Sequence, residues 1–347
     1  MTDMPTSGAA AADAVPSHLS AGTIIAMIGF LITMYYHHTG MQTLQKMTSF
    51  SAKRVLYRLI VSLAPAICFI NFLAVTSPPM HELCALVQHI IVALVMAAFM
   101  ELLLLLCYRT SLAQQSGAAT SEAEMPGIAN VLQLCEQSFS TCTLCGGVEP
   151  SAYLQGIHDV LVKQPEIDFW ASPPVGCCFA CCPSLPCGQR QRPTARLVVL
   201  LRRAVCFYAL GSVAGPTAEL WVAGAPGMAM HRPRVRQAVE LLELAVTLTA
   251  LYSLFITYRL SKAPLHAYHT TLKFAAVKVL VFAIPLQRVA LTRLLGEGEG
   301  LWWLHVLTCA ESPLLARLLW SAFPISELPS ATSRANDSDD EATRLVP

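Results

Sequence analysis

Charged residues are scarce in this chain of 347 residues, because Asp, Glu, Lys and Arg together make up only 13% of it. An ordinary soluble domain has about 25%. Hydrophobic residues reach 54%, and the mean hydropathy is +0.53. The net charge is only +1, without the concentrated basic surface that binds nucleic acid. The composition therefore argues against a soluble domain and a nucleic-acid partner, and it predicts a polytopic membrane protein.

The chain also lacks the short motifs of several functional classes. It contains no phosphate-binding loop, nucleophile triad or HExxH-type metal motif, so neither an ATP-driven pump nor a hydrolase is favoured. We predict that the protein is not an enzyme and needs no cofactor. An Asp-Arg-Tyr-like triplet after the third apolar segment and an Asn-Pro-x-x-Tyr in the last one are missing as well. These absences count against a seven-helix receptor.

What the chain does contain is a series of apolar segments, each near the roughly 20 residues that a helix needs to cross a bilayer. Residues 21–325 are predicted to form an all-α, seven-transmembrane-helix bundle. The flanking residues 1–20 and 326–347 are predicted to be disordered tails, the second one acidic. The seven predicted spans are 21–36, 55–75, 83–108, 196–215, 235–258, 272–295 and 302–323.

The distribution of Lys and Arg predicts the orientation of the bundle. Basic residues gather in the connection after the first span, around the long loop after the third, and after the fifth, whereas the connections 77–82 and 296–300 carry none. The positive-inside rule then places the N-terminus outside and the C-terminus in the cytosol. Arg232, Arg234 and Arg236 disagree, because this topology puts their connection outside. The sequence leaves both the plasma membrane and the endomembranes open.

The long loop 110–194 holds eight of the thirteen cysteines. Because a cytosolic loop keeps its thiols reduced, disulfides are disfavoured there. Cysteines beside a membrane are substrates for S-acylation, which would attach the loop to membrane lipid. The candidate acylation sites are Cys177, Cys178, Cys181, Cys182 and Cys187. Unmodified thiols remain an alternative, and so does a zinc site, for which two Cys-x-x-Cys pairs have suitable spacing: Cys142, Cys145, Cys178 and Cys181.

Polar side chains inside the predicted spans are the candidates for a solute path, since an ionisable residue in a span is costly unless it faces the protein interior or water. For an anionic solute, Lys278 and Arg288 are the expected charge partners. The alternative is that these side chains pair with one another and only hold helices together. The full set of candidates is Glu101, Glu240, Glu243, Lys278, Gln287, Arg288 and Glu311.

Four motifs in order along the chain resemble the organic solute transporter alpha-subunit family and its transmembrane protein 184 relatives. The cysteine run Cys177 to Cys187 resembles the cysteine-rich cytoplasmic loop of the alpha subunits. The stretch from Lys273 to Gln287 is similar to the Lys-Phe...Gln helix of both groups. Two weaker signals are Glu311 followed by Ala322-Phe323-Pro324, and the basic helix start Arg54-Val55-Leu56-Tyr57-Arg58. The resemblance covers residues 21–327.

The resemblance implies a facilitative carrier of amphipathic organic anions, such as bile acids or conjugated steroids, with a lipid-modified cysteine loop. It also implies a single-span beta subunit as partner, and a homo-oligomer is the alternative. Met100-Glu101 replaces the Tyr-Glu pair of the relatives, and the long loop is larger than theirs, which leaves the substrate open. The alternatives are a non-transporting acylated scaffold or trafficking protein, and a seven-helix receptor.

Overall fold

The computed structural model describes residues 17–45, 52–77, 80–116, 152–164, 166–168, 190–224 and 232–327. Within them the chain is helical apart from one antiparallel pair of two-residue strands, β1 (Ile167–Asp168) and β2 (Arg190–Gln191). All seven cysteines named above as acylation or zinc candidates lie outside these residues. The all-α class is confirmed for the described part of the chain.

The α-helices follow one another with short connections wherever the predicted spans are close in sequence. A 3₁₀ turn, His266–Tyr268, precedes the helix Thr270–Leu295, and a second one, Ile325–Glu327, follows the helix Glu297–Ala322. We call the second one the C-terminal turn. The helices are α1 (Ser17–Gln45), α2 (Ala52–Val61), α3 (Leu63–Thr76), α4 (His81–Ser116), α5 (Ala152–Leu161), α6 (Ala195–Gly224), α7 (Arg232–Ser261), α8 (Thr270–Leu295) and α9 (Glu297–Ala322).

Five stretches of the described chain are long and apolar enough to cross a membrane: Lys53–Thr76, Leu83–Leu112, Arg196–Ala218, Gln237–Ser261 and Thr270–Leu295. The first of them combines α2 and α3, which are separated only at Ser62. The two other predicted spans form the long helices α1 and α9, of 29 and 26 residues, but they are not among these five. The count of seven spans therefore stays a prediction.

Two helices organise the packing. Helix α4 lies against α2, α3, α5 and α6, whereas α9 lies against α1, α3 and α8. From Phe99 to Cys107 every side chain of α4 is buried, as expected for a helix that is apolar all round and surrounded by others. The outward faces of α1, α7 and α8 carry large exposed apolar side chains, such as Leu31, Leu241 and Leu286. Those faces suit contact with lipid.

Helix α1 approaches α9 closely because glycines face it. A Cβ atom added at Gly29 would lie 2.2 Å from the backbone oxygen of Cys309. At Gly22 and Gly40 it would overlap the rings of Trp302 and Trp320. Small residues at a helix contact let two backbones approach, which is a main source of helix association in membranes. The α1–α9 contact therefore depends on the absence of a side chain at Gly29.

We expect Gly29→Ala to destabilise the protein by roughly 1–3 kcal/mol, because the added methyl group overpacks a backbone contact. The thermal unfolding midpoint of the detergent-solubilised protein measures this. Gly298→Ala is the matched control, since Gly298 lies on α9 with open space around its Cα. Equal midpoints for the two variants would contradict the close α1–α9 contact.

Candidate functional site

Glu101 is buried in the middle of the bundle and paired with a cation of another helix. It lies on α4, and Arg202 of α6 donates a hydrogen bond of 2.5 Å from Nε to its Oε1. The two side chains are 10% and 7% exposed. Removing one partner of such a pair leaves an unneutralised buried charge. The pairing gives Glu101 a role in holding α4 to α6, whether or not solute passes nearby.

A second pair joins α8 to α9. Gln287 donates a hydrogen bond of 2.7 Å from its amide nitrogen to Oε2 of Glu311. Both side chains are half-buried, so this polar contact is partly accessible. Two of the predicted path residues are thus brought together by the structure.

Arg288 follows Gln287 and lies beside a buried polar network. The Arg288 guanidinium is close enough to the imidazoles of His89 and His305 for electrostatic repulsion of their protonated forms. The Nδ1 atom of His305 is 2.6 Å from the side-chain oxygen of Asn71. The amide of Asn71 in turn donates to Gln88 over 3.2 Å. Hydrogen bonds therefore join α3, α4 and α9 in one polar region, and Arg288 of α8 is the residue near it that the sequence analysis selects.

The other candidates are placed separately from that region. Lys278 is exposed on α8, with its Nζ atom 5.8 Å from the centre of the Phe282 ring. Glu243 is half-buried, and its Oε1 atom lies near Gly215 of α6. The side chain of Glu240 lies outside the described part of the structure. Along α8, Lys278 and Arg288 are about 15 Å apart, given the rise of about 1.5 Å per residue.

A cluster of charges that the sequence analysis did not select as a site lies at one end of the bundle. Lys273 of α8 donates hydrogen bonds of 2.7 Å to both carboxylate oxygens of Glu327, and a further one to the carbonyl of Tyr268. Tyr57 of α2 donates one of 2.5 Å to the same carboxylate. Lys53, also of α2, donates one of 2.7 Å to the main-chain oxygen of Glu327. We call Lys53, Tyr57, Lys273 and Glu327 the lysine cluster.

Both lysines of this cluster are almost completely buried, at 1% and 0% exposure. None of these residues is among the candidates selected from the sequence. Lys53 precedes the predicted span 55–75, Lys273 lies at the start of the span 272–295, and Glu327 falls within the predicted acidic tail 326–347. The missing signal was spatial, since Glu327 follows Lys53 by 274 residues.

Metal binding has no support within the described residues, where no group of three or more His, Cys, Asp or Glu side chains is placed to hold an ion. The cysteines proposed for zinc lie outside those residues. Among the described residues, Cys68, Cys84, Cys107, Cys206 and Cys309 form no disulfide.

Residues 233–328 match a protein-family model described as "Organic solute transporter Ostalpha". The match supports the organic solute transporter alpha family. It includes most of α7, all of α8 and α9, and the C-terminal turn, and it confirms the resemblance drawn from the sequence. No curated protein and no solved structure matched the chain. The family and the five apolar stretches support a multi-pass integral membrane protein that transports solutes.

We expect Arg202→Met to destabilise the protein by about 3–5 kcal/mol, because Glu101 then keeps a buried charge without its partner. The double variant Arg202→Met/Glu101→Met should regain most of this loss, since it removes both charges. Thermal unfolding in detergent measures the free-energy change. The control is Arg196→Met, an exposed cation of the same helix, and a double variant no more stable than the single one would contradict the pairing.

Proposed function

We propose that the protein is a facilitative transporter of amphipathic organic anions, of the bile acid or conjugated steroid type. Transport of solutes in general is supported by the family match over residues 233–328. The preference for an anion is our inference from the charges of α8, which lies wholly within the matched segment.

The observation that carries this inference is a pair of cations on α8, Lys278 and Arg288. Among the described residues, neither side chain has a hydrogen bond or an ion pair with a carboxylate. Arg202, Lys53 and Lys273, in contrast, each donate a hydrogen bond to an acidic residue. A cation within a span is costly without a partner or water. An anionic solute in transit would supply that partner.

The surroundings of Arg288 suit such a role. Its side chain is half-buried and lies within electrostatic range of His89 and His305, and its neighbour in sequence, Gln287, donates a hydrogen bond to Glu311. Hydrogen-bond donors and acceptors from several helices could replace part of the hydration shell of a passing anion. Facilitated diffusion needs no more than such a path, so no energy-coupling site is required.

Lys278 stands apart because it is exposed on the outer surface of the bundle. We propose that either the solute or a single-span beta subunit covers it, since an acidic or polar residue of such a partner would neutralise the charge. The same surface would serve a homo-oligomer. We also propose that the N-terminus lies outside and the C-terminus in the cytosol, in the plasma membrane or an endomembrane, as the distribution of basic residues predicts.

The first test is uptake of a labelled steroid sulfate or bile acid by cells that express the chain, with and without a candidate single-span partner. Arg288→Met and Lys278→Met should each lower uptake about tenfold or more, because a hydrogen bond to a charged group contributes about 1.5–3 kcal/mol. Arg293→Met is the matched control, being an exposed cation near the end of the same helix.

Surface expression of every variant is measured in parallel, so that loss of delivery is not read as loss of transport. Uptake unchanged in both variants would contradict the role of α8 in anion passage. It would mean that Lys278 only extends to the lipid headgroups. Absence of any saturable uptake, with the chain confirmed at the surface, would favour the non-transporting scaffold.

Acylation of the cysteine loop is a separate part of the proposal. Changing Cys177, Cys178, Cys181, Cys182 and Cys187 to Ser should remove hydroxylamine-sensitive incorporation of a fatty-acid probe, because thioesters form only on thiols. Cys135→Ser, in the same loop but outside the cluster, is the control. Probe incorporation that persists in the five-fold variant would contradict acylation there, and bound zinc that is lost in the same variant would favour the metal site.

A further inference from the structure

The lysine cluster holds more positive than negative charge. Two ammonium groups, on Lys53 and Lys273, face the single carboxylate of Glu327, and both lysine side chains are buried. A buried excess of one sign is costly unless a counter-charge is present. The cluster is therefore built to retain an anion.

The donors of the cluster match the requirements of an oxyanion. Lys273 donates to both oxygens of one carboxylate, and the Tyr57 hydroxyl donates to one of them over 2.5 Å. The Lys53 ammonium lies 4.0 Å from the same oxygen. Charge-assisted hydrogen bonds of this kind bind carboxylate, sulfate and phosphate oxygens alike. Nothing in the donor set is specific to a glutamate side chain.

Aromatic rings surround the donors. The Lys53 Nζ atom lies 5.3 Å from the ring centre of Tyr57 and 5.1 Å from that of Tyr268. The Lys273 Nζ atom lies 5.9 Å from the ring centre of Phe323. A charged centre among aromatic faces offers an amphipathic anion both a counter-charge and an apolar surface.

The carboxylate that these donors bind belongs to a separate, short segment of the chain. Glu327 belongs to the three-residue C-terminal turn, whereas the donors belong to α2 and α8. The chain just before the turn is also held outside the cluster, because Phe323 is buried and its ring packs edge-on against Phe99 of α4 at 6.4 Å. The turn can therefore leave the donors while α9 stays packed in the bundle.

We propose that Lys53, Tyr57 and Lys273 form an oxyanion-binding site, now occupied by Glu327, in which the carboxylate or sulfate of an organic anion replaces that side chain. The assignment of a large solute anion as the competing ligand deepens the proposed function and rests on it. The affinity for small oxyanions rests on the geometry of the cluster alone.

The test is chemical rescue of the purified full chain in detergent. Glu327→Ala should lower the thermal unfolding midpoint by several degrees, because two buried ammonium groups lose their counter-charge. Acetate should restore more than half of this loss in a saturable manner, whereas chloride at the same ionic strength should not. The wild-type midpoint should not respond to acetate.

Three control variants test whether acetate acts at the position of the Glu327 carboxylate. Glu327→Ala/Lys273→Met should lose it, because the main donor is gone. Glu327→Gln should show little of it, because the amide fills the position of the carboxylate. Glu299→Ala, which removes an exposed glutamate of α9, should leave the midpoint unchanged. Absence of acetate rescue in Glu327→Ala, or equal rescue in the double variant, would overturn the proposal.

A second measurement does not require Glu327→Ala to fold. In the variant Ser326→Cys, a maleimide reagent labels the C-terminal turn, and mass spectrometry of the peptide that contains residue 326 gives the labelling rate. A steroid sulfate should raise this rate several-fold by displacing the turn. An unchanged rate would overturn the competition by the large anion.

The outcomes for the two proposals are distinct. Rescue by acetate without any cellular uptake would support the oxyanion site and remove the transport proposal. Uptake that depends on Arg288, without rescue by acetate, would support transport and remove the oxyanion site.

Discussion

A charge buried among apolar helices must have a counter-charge, and this constraint shapes the whole bundle. Arg202 meets Glu101 between α4 and α6, and two lysines meet Glu327 where α2 and α8 come together with the C-terminal turn. Each pairing fixes the rotation of helices whose apolar surfaces alone would tolerate several arrangements. Hydrophobic contact is weakly directional, and in lipid it hardly distinguishes one apolar face from another. The ionic contacts supply the missing specificity.

The same constraint applies to two cations that have no such contact within the part of the chain that the structure describes. Lys278 and Arg288 lie on α8, the helix that also carries Lys273. One helix therefore holds a cation that is paired with a carboxylate and two described cations that are not. The neutralised one lies at the end of the helix, where the chain itself supplies the carboxylate. Lys278 and Arg288 lie further along the helix, and we propose that the solute supplies their counter-charge. This difference between Lys273 and the other two cations is the reason for our proposal that α8 contacts the solute.

Much of the fold could be predicted from the sequence, because long apolar runs specify helices through composition alone. The helical segments appeared near their predicted positions, although α4 extends beyond its predicted span at both ends and the second span is two helices separated at Ser62. The pairings were much harder. Glu101 had an obvious cation nearby in sequence, Arg109, yet its partner is Arg202 on another helix. Glu327 follows the last apolar run and so falls within the predicted acidic tail. Sequence proximity and local composition say little about partners that only tertiary packing brings together.

The order in which a ribosome makes the chain adds a consequence. Lys53 is synthesised 274 residues before the glutamate whose main-chain oxygen it contacts, which at about 5–20 residues per second amounts to tens of seconds. During that interval the first helices have been synthesised, but the Lys53 ammonium group cannot yet contact Glu327. The contacts of the first basic helix with the C-terminal turn can therefore form only after most of the bundle has been synthesised. A chain interrupted before Glu327 would leave the Lys53 ammonium group without this contact.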